Sequence, residues 1–277
     1  MPDASKSPPA QRGERAMSGS SATLDNVARH LDALLRTSEI PDYPGALNGI
    51  QVDHTGPVRR CAVAVDASLR TIEGALNAGA NLLVVHHGLF WSGTQPLRGR
   101  AYQRIRTLLT NDIAVYASHL PLDLHPTLGN NALLASALEL RPTEGFARFQ
   151  SVDVGVAGGA DVDTAVLVER MRAITEREGG VLITAGVTPA RRTTRWAICT
   201  GAGASTDTLR EAAARGIDTL IVGEGPQHTA VDAPELGIAV LYGGHYATET
   251  FGVRALGAEI ERAFGVPWSF IDAPTGL

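Results

Sequence analysis

The sequence predicts an α/β fold in which mostly parallel sheets are covered by helices. Eight short apolar runs rich in β-branched residues alternate with segments of helical spacing, which is the pattern of strands and helices in turn. Several of these runs are apolar at every position, which is typical of parallel strands buried on both faces. The expected strands are residues 61–65, 81–85, 113–117, 151–156, 181–185, 195–199, 218–222 and 238–242.

The segments between the strands carry apolar residues three and four positions apart, as one face of a helix requires. The first helix is expected to begin at Leu24, with Thr23 as its capping residue and Val27, Ala28 and Leu31 on its inner face. Further helices are expected over residues 68–78, 101–110, 131–140, 161–177 and 207–215.

The chain is expected to form a tail and one folded region. Residues 1–22 are rich in serine, proline and glycine and show no apolar periodicity, so a flexible tail is predicted there. The rest, 23–277, is predicted to form two intertwined α/β subdomains. A metal-bearing part is expected over 23–125 plus 221–277, because the candidate ligands fall in those segments, and an inserted α/β part over 126–220.

Composition argues against several classes of protein. The net charge of −5 and the pI near 5.9 do not suit a protein that binds nucleic-acid backbones through a basic face. There is neither a secretory signal pattern nor an apolar run as long as a membrane span, so a soluble, cytoplasmic protein without a membrane partner is expected. Cys61 and Cys199 lie in apolar runs and lack the spacing of a metal site or a disulfide framework.

The most informative residues are two adjacent histidines, His86 and His87, which end the second expected strand. Histidine is the commonest nitrogen ligand for borderline divalent ions. Alternation along a strand turns the two rings apart, so the pair can serve two ions. One histidine at a strand end is more often a hydrogen-bonded structural residue, so a metal site requires further ligands.

Two further clusters supply such ligands. The eighth expected strand leads to His245 and Glu249, which share a face if a helix begins there, and the third leads to His119 and Asp123. Because ligands bind beyond the carboxyl ends of parallel strands, one rim of one sheet is expected to gather all these groups. Burying so many titratable groups without a cation would be costly.

The predicted metal ligands are His86, His87, Asp123, His245 and Glu249. Five ligands are too many for one catalytic zinc ion with an open position, and they fit two divalent ions per chain that share a bridging carboxylate. Glu249 is expected to be that bridge, with Asp123 as the alternative, and the ligand mix suits zinc, manganese or iron. Two such ions lower the pKa of a water between them, so a metal-bound hydroxide becomes available as a nucleophile near neutral pH.

Two other histidines are candidates for catalytic proton transfer. His119 is expected beside the ligands as a proton donor or an orienting partner. His228 lies in the segment 223–228, which can reach the same rim. The glycine-rich turn 200–205 offers backbone N–H groups to an anion, although it lacks the third glycine of a dinucleotide fingerprint.

Five motifs follow one another in a specific order: ALNGIQV at 46–52, HHGLFW at 86–91, SHLPLDLHPTLGNN at 118–131, TGAG at 200–203 and GHYATE at 244–249. Together they resemble the Nif-three-like family, whose members are also named GTP cyclohydrolase I type 2 homologues. The similarity runs from about Thr23 to the end of the chain, and the length is similar to that of the short bacterial form.

The resemblance implies a dinuclear metal centre on the same five ligands. It also implies a ring-shaped homohexamer whose metal sites face an internal cavity. Two departures are visible in this sequence: Tyr246 stands where some relatives have a histidine, and Gln227-His228 replaces a two-histidine segment.

Different functions remain open at this point. The first is a metal-dependent hydrolase acting on C–N bonds of a small nucleotide-like or cyclic amide substrate, with GTP ring opening as the reaction that the resemblance implies. The second is a non-enzymatic, metal-binding hexameric ring with a regulatory role and a protein or nucleic-acid partner. A role in metal insertion or metabolite repair would use the same ligands. Replacing Asp123 or Glu249 by alanine separates the classes, because an enzyme loses turnover while it still assembles.

Overall fold

The computed structural model describes residues 22–93 and 95–277, which form two β-sheets with helices on both faces of each. Of the expected tail, residues 1–21 lie outside the described residues. The helices are α1 (Leu24–Leu35), α2 (Leu69–Asn77), α3 (Gly99–Thr110), α4 (Leu120–Asp123), α5 (Asn130–Ala137), α6 (Thr164–Arg177), α7 (Thr206–Ala214), α8 (Gln227–Glu235) and α9 (His245–Phe264). The strands are β1 (Gly49–Val52), β2 (Cys61–Asp66), β3 (Leu82–His87), β4 (Ala114–Ala117), β5 (Glu144–Phe149), β6 (Val152–Asp163), β7 (Ile183–Ala185), β8 (Arg192–Cys199), β9 (Thr219–Val222), β10 (Ala239–Tyr242) and β11 (Trp268–Phe270).

The first sheet has the strand order β1-β4-β3-β2-β11. Its strands from β4 to β11 run parallel, and β1 joins β4 antiparallel at one edge. Neighbouring residues of β2 face opposite layers: Val63 packs with α1 and α9, whereas Ala62 packs with α2 and α3. The strand is apolar throughout because both of its faces are buried.

The second sheet has the order β5-β6-β8-β9-β10-β7. Strands β8, β9 and β10 are parallel, and β5, β6 and β7 are added antiparallel, so this sheet is mixed. Ala197 and Leu220 pack towards α7 and α8, whereas Ile198 and Ile221 pack towards α5 and α6. Both faces are again buried, which explains the continuous apolar runs.

The predicted α/β class and the alternation of elements are confirmed. The chain leaves the first sheet after β4, builds the second sheet as far as β10, and returns to the first with α9 and β11, so the two units are intertwined. The division into 23–125 plus 221–277 and 126–220 stays a prediction, and β9 and β10 pair within the second sheet. Among the described residues, none of the helices has the length and the apolar run that crossing a bilayer takes.

The expected ligands follow strands of two sheets rather than of one. His86 and His87 end β3 in the first sheet, whereas His245 follows β10, which pairs with β9 and β7 in the second. Helix α9 begins directly after β10 and packs its length on the first sheet, with Val253 and Leu256 in the same core as β2 and β3. This helix therefore brings the strand ends of the two sheets together.

Candidate metal centre

The five predicted ligands lie together where the strand ends of the two sheets meet. Nε2 of His86 is 3.5 Å from Oδ2 of Asp123 and 3.6 Å from Oε1 of Glu249. Oε2 of Glu249 is 3.3 Å from Nε2 of His87 and 3.1 Å from Nε2 of His245. Each carboxylate oxygen of Glu249 therefore faces a different set of imidazole nitrogens.

The turn between β10 and α9 places two of these ligands. Residues 243 and 244 are both glycine, and Gly244 has a φ of +91°, a conformation that other residues rarely adopt. The turn lets α9 begin at His245, immediately after the strand. His245 and Glu249 are four residues apart, so both side chains project from the same face of the first turns.

The histidines of the cluster share one hydrogen-bonding pattern, in which an oxygen accepts from Nδ1. A neutral imidazole that donates from Nδ1 presents the lone pair of Nε2, and this arrangement is usual for metal-bound histidines. The four contacts are His86 with the carbonyl oxygen of Ser118 (2.9 Å), His87 with Oδ1 of Asp66 (2.9 Å), His119 with Oδ1 of Asp42 (2.8 Å) and His245 with Oε1 of Glu224 (2.8 Å).

Three buried atoms of the cluster have no hydrogen-bond partner in the part of the chain that the structure describes: Nε2 of His86, Nε2 of His245 and Oε2 of Glu249. The His86 side chain is fully buried, and Glu249 is 3% exposed. An unsatisfied buried polar group costs roughly 1–3 kcal/mol. A cation satisfies nitrogen lone pairs and a carboxylate oxygen together, so these residues fit a divalent metal ion.

Two groups of three side chains are close enough to hold an ion. They are His86, His87 and His119, and His87, His245 and Glu249, with ligand atoms within 4.8 Å of one another in each group. His119 was expected beside the ligands, and its ring centroid is 4.9 Å from that of His86. The geometry therefore allows His119 to act either as a ligand or as a proton donor.

The carboxylates of the cluster raise the pKa of two of its histidines, His86 and His245. Burial lowers the pKa of His86, but Asp123 and Glu249 outweigh this effect and raise it to about 10. Burial also lowers the pKa of His245, and Glu249 with Glu224 raises it to about 9. Burial favours a protonated Glu249, yet the surrounding histidines hold the pKa of its carboxyl well below the ordinary value. In the absence of a metal ion, protons therefore occupy this cluster.

We expect the free energy of unfolding of the metal-free protein to fall as the pH rises from about 6.5 to about 10. An unfolded histidine has a pKa of about 6.5, whereas His86 and His245 are raised to about 10 and about 9. Their stabilisation is complete below the unfolded pKa and is lost as the pH passes the folded pKa. Urea unfolding with a chelator at about pH 6.5, 8 and 9.5 measures it. A rising free energy over this range would contradict the protonated cluster.

A cavity of about 570 Å³ opens beside the cluster, a size typical of small-molecule sites. All the predicted ligands line it except the fully buried His86. Tyr43 and Trp91 also line it, with exposed fractions of 50% and 37%. Two aromatic rings are therefore available to a small molecule that enters beside the candidate metal ligands.

The structure does not bring His228 to this cluster. Its Nε2 lies 3.1 Å from Oγ1 of Thr206, and the residue is exposed and does not line the cavity. Helix α8 begins at Gln227 and buries Thr229 and Ala233, so that His228 faces outwards. His228 follows the end of β9 closely in sequence, but helix α8 turns its side chain away from the cluster.

The glycine-rich turn 200–205 was expected to offer its N–H groups to an anion, but it packs against the cluster instead. Its first N–H groups are used within the protein: Thr200 N donates to Asn131 Oδ1 (2.9 Å) and Gly201 N to Thr248 Oγ1 (3.0 Å). A Cβ built on Gly201 would lie 2.1 Å from Oε1 of Glu249. The turn therefore packs against the carboxylate rather than offering these N–H groups to an anion.

Two carboxylates that the sequence did not single out support the histidines. Asp66, which accepts from His87, is the last residue of β2, so the strand-end signal that marked the ligands also applied to it. Asp42 lies in the loop before β1, where no strand end marks it. It accepts from His119 Nδ1 (2.8 Å), Asn48 Nδ2 (2.8 Å), Tyr43 N (2.7 Å) and Leu120 N (2.9 Å).

The chain is similar to known proteins over nearly all of its length. The sequence model of the family described as Duf34/NIF3 (NGG1p interacting factor 3) matches residues 22–275. A Deinococcus radiodurans protein named GTP cyclohydrolase 1 type 2 homolog is 42% identical over 257 residues, which cover 91% of this chain and 94% of that protein. A Halobacterium salinarum protein of the same name is 42% identical over 260 residues, covering 92% and 99%.

The fold is also similar to a solved structure. A structural genomics protein called ybgI, described as of unknown function, matches with a TM-score of 0.82 and 34% sequence identity. The match covers 92% of this chain and 100% of that one. The two-sheet architecture described above is therefore shared with a protein that is also related in sequence.

Proposed function

Because this chain belongs to the Duf34/NIF3 family, we propose that it binds two divalent metal ions where its two sheets meet and hydrolyses a nucleotide-like or cyclic amide substrate there. The observation that carries the proposal is a set of buried atoms on His86, His245 and Glu249 that find no hydrogen-bond partner among residues 22–93 and 95–277. Their Nε2 and Oε2 positions converge, and every histidine of the cluster is held through Nδ1. Residues so arranged are ready to bind a cation.

The two ions would share Glu249 as the bridging ligand. Its Oε2 faces His87 and His245, and its Oε1 faces His86, which also lies near Asp123. His119 completes the group that contains His86 and His87 if it binds an ion directly. Nitrogen and carboxylate ligands without thiolates suit zinc, manganese or iron.

Divalent ions at this position would supply Lewis-acid chemistry, polarising the bond to be broken and lowering the pKa of a water. The chain itself contributes a proton carrier. Asp42 holds Nδ1 of His119 at 2.8 Å, so Nε2 is the nitrogen left to exchange a proton with a substrate. His119, Tyr43 and Trp91 all line the cavity, where they would orient a ring beside the ligands.

The name of the relatives suggests the first substrate to test. They are named homologs of GTP cyclohydrolase 1 type 2, so hydrolytic opening of the guanine ring of GTP is the candidate reaction for this chain. A cytoplasmic homohexamer with the metal sites facing an internal cavity is part of the proposal. The mass in solution, measured by light scattering, tests the assembly.

Elemental analysis of protein purified without added metal tests the metal site. We expect up to two divalent ions per chain and a clear loss in Asp123→Asn. Asp32→Asn is the matched control, because Asp32 on α1 also accepts a hydrogen bond, from the Tyr116 hydroxyl of β4 (2.8 Å). If no metal is retained after reconstitution with zinc, manganese or iron, the proposal is wrong.

Turnover of GTP and of cyclic amides by the metal-loaded protein then separates an enzyme from a binding protein. We expect hydrolysis by the wild type and its loss in Asp123→Asn, with the assembly unchanged. Two bound ions without hydrolysis of either class of compound would favour the non-enzymatic alternative.

A further inference from the structure

A second cavity, of about 450 Å³, adjoins the cavity beside the five candidate ligands, which is called the metal cavity below. Asp66, His87 and Trp91 line both cavities and therefore form the wall between them. Arg70 and Arg104 line the second of these two cavities and not the first, and the second is called the arginine cavity below. A molecule that enters beside the metal ligands can thus extend past Trp91 to two guanidinium groups.

The two cavities differ in charge. The metal cavity is lined by the carboxylates of Asp66, Asp123 and Glu249, and among its described lining residues there is no arginine or lysine. The arginine cavity has two guanidinium groups and one carboxylate, Asp66, which already accepts from His87. The protein side chains therefore disfavour a phosphate group in the first cavity and favour it in the second.

Both guanidinium groups are available to an anion. Arg70 donates to the carbonyl oxygens of Pro274 and Asp272 at 3.4 Å each, and Arg104 donates to that of Ala67 at 3.2 Å. These are bonds to neutral acceptors, and within the described residues neither arginine forms an ion pair. In contrast, Arg192 and other arginines of the chain are paired with carboxylates.

We propose that the arginine cavity is the phosphate subsite of the substrate whose ring enters the metal cavity. The inference rests on the proposed function, because it assumes that a nucleotide-like substrate binds at the metal site. Trp91 is 37% exposed and faces both cavities, so it offers a stacking surface to the ring. The phosphate then binds Arg70 and Arg104 through charge-assisted hydrogen bonds.

Calorimetric titration of the metal-loaded protein with guanosine and with guanosine monophosphate tests the subsite. Hydrogen bonds to charged groups contribute enough for a preference of about tenfold or more for the phosphorylated compound. In the double variant Arg70→Ala/Arg104→Ala, we expect this preference to fall to about threefold or less, with the guanosine affinity unchanged. The double variant Arg100→Ala/Arg106→Ala removes the same charge from exposed positions of α3 and should keep the wild-type preference.

Equal affinities of the wild type for the two compounds would overturn the subsite. A preference that survives in Arg70→Ala/Arg104→Ala would also overturn it, since the phosphate would then bind the metal ions. Elemental analysis of the same samples distinguishes a failure of the phosphate subsite from a failure of the proposed function. Two bound ions with no binding of either compound refute the subsite and leave the metal site standing, whereas absence of metal refutes the proposed function itself.

Discussion

Replacing Glu249 by glutamine is expected to remove most of the metal that we propose for the site where the two sheets meet. The carboxylate is 3% exposed, and its two oxygens face His86 on one side and His87 with His245 on the other. Glutamine keeps the size of the side chain but has no negative charge, so it is a poor bridge between two cations. Loss of a residue that merely orients a ligand weakens binding about 10–100-fold, so loss of the bridge should weaken it by at least about 100-fold. Elemental analysis after dialysis measures the loss.

Glu178→Gln is the matched control for this substitution. Glu178 is also buried, 6% exposed, and it holds ion pairs with Arg177 and Arg254 rather than with the cluster. We expect Glu178→Gln to lower the stability only slightly, because the two arginines that lose their partner are largely exposed, and to retain the metal. Equal metal content in Glu249→Gln and the wild type would refute the assignment of Glu249 as the bridge.

Replacing Gly201 by alanine is expected to lower both the stability and the metal content. Gly201 has a φ of +63°, which costs an alanine roughly 1–2 kcal/mol. The new Cβ would lie 2.1 Å from Oε1 of Glu249 and 3.2 Å from Nε2 of His245. Overpacking of this kind costs about 1–3 kcal/mol more, and it displaces the carboxylate from its position. Thermal unfolding and elemental analysis of the purified variant measure the two effects.

Gly216→Ala separates the backbone strain from the contact with the cluster. Gly216 has nearly the same φ, +66°, but a Cβ there meets nothing within 4 Å. We therefore expect Gly216→Ala to lose stability through its backbone alone and to bind metal as the wild type does. If the two variants behave alike, Gly201 serves only the turn, and its packing against Glu249 has no consequence for metal binding.

The clustering of the candidate ligands was predictable because they follow apolar strands directly along the chain. His86 and His87 end β3, and His245 begins the helix after β10, so the strand-end signal pointed at each of them. The sequence could not show that β3 and β10 belong to different sheets. Strand order depends on which apolar faces pack together across the whole chain, and continuous apolar runs carry no information about register.

The strands that were not predicted lack a continuous apolar run. β5 contains Glu144 and Arg148, which form ion pairs with Arg195 of β8 and Asp153 of the adjacent β6, and β11 has only three residues. The hydrogen bonds that hold the histidine rings could not be predicted from the sequence either. His86 is held by the backbone oxygen of Ser118, and a carbonyl group leaves no mark in the amino-acid sequence.

The position of the cluster between the two sheets has a consequence for cooperativity. His86 and Glu249 are far apart in sequence, and they come from the end of a first-sheet strand and from the helix that follows a second-sheet strand. An ion bound by both residues would join the end of the first-sheet strand β3 to the helix α9 that enters from the second sheet, much as a cross-link does. Binding to the native state alone adds about 2.7 kcal/mol of stability at 100 times the dissociation constant. The supply of metal would then decide whether the two sheets unfold as one unit or in separate steps.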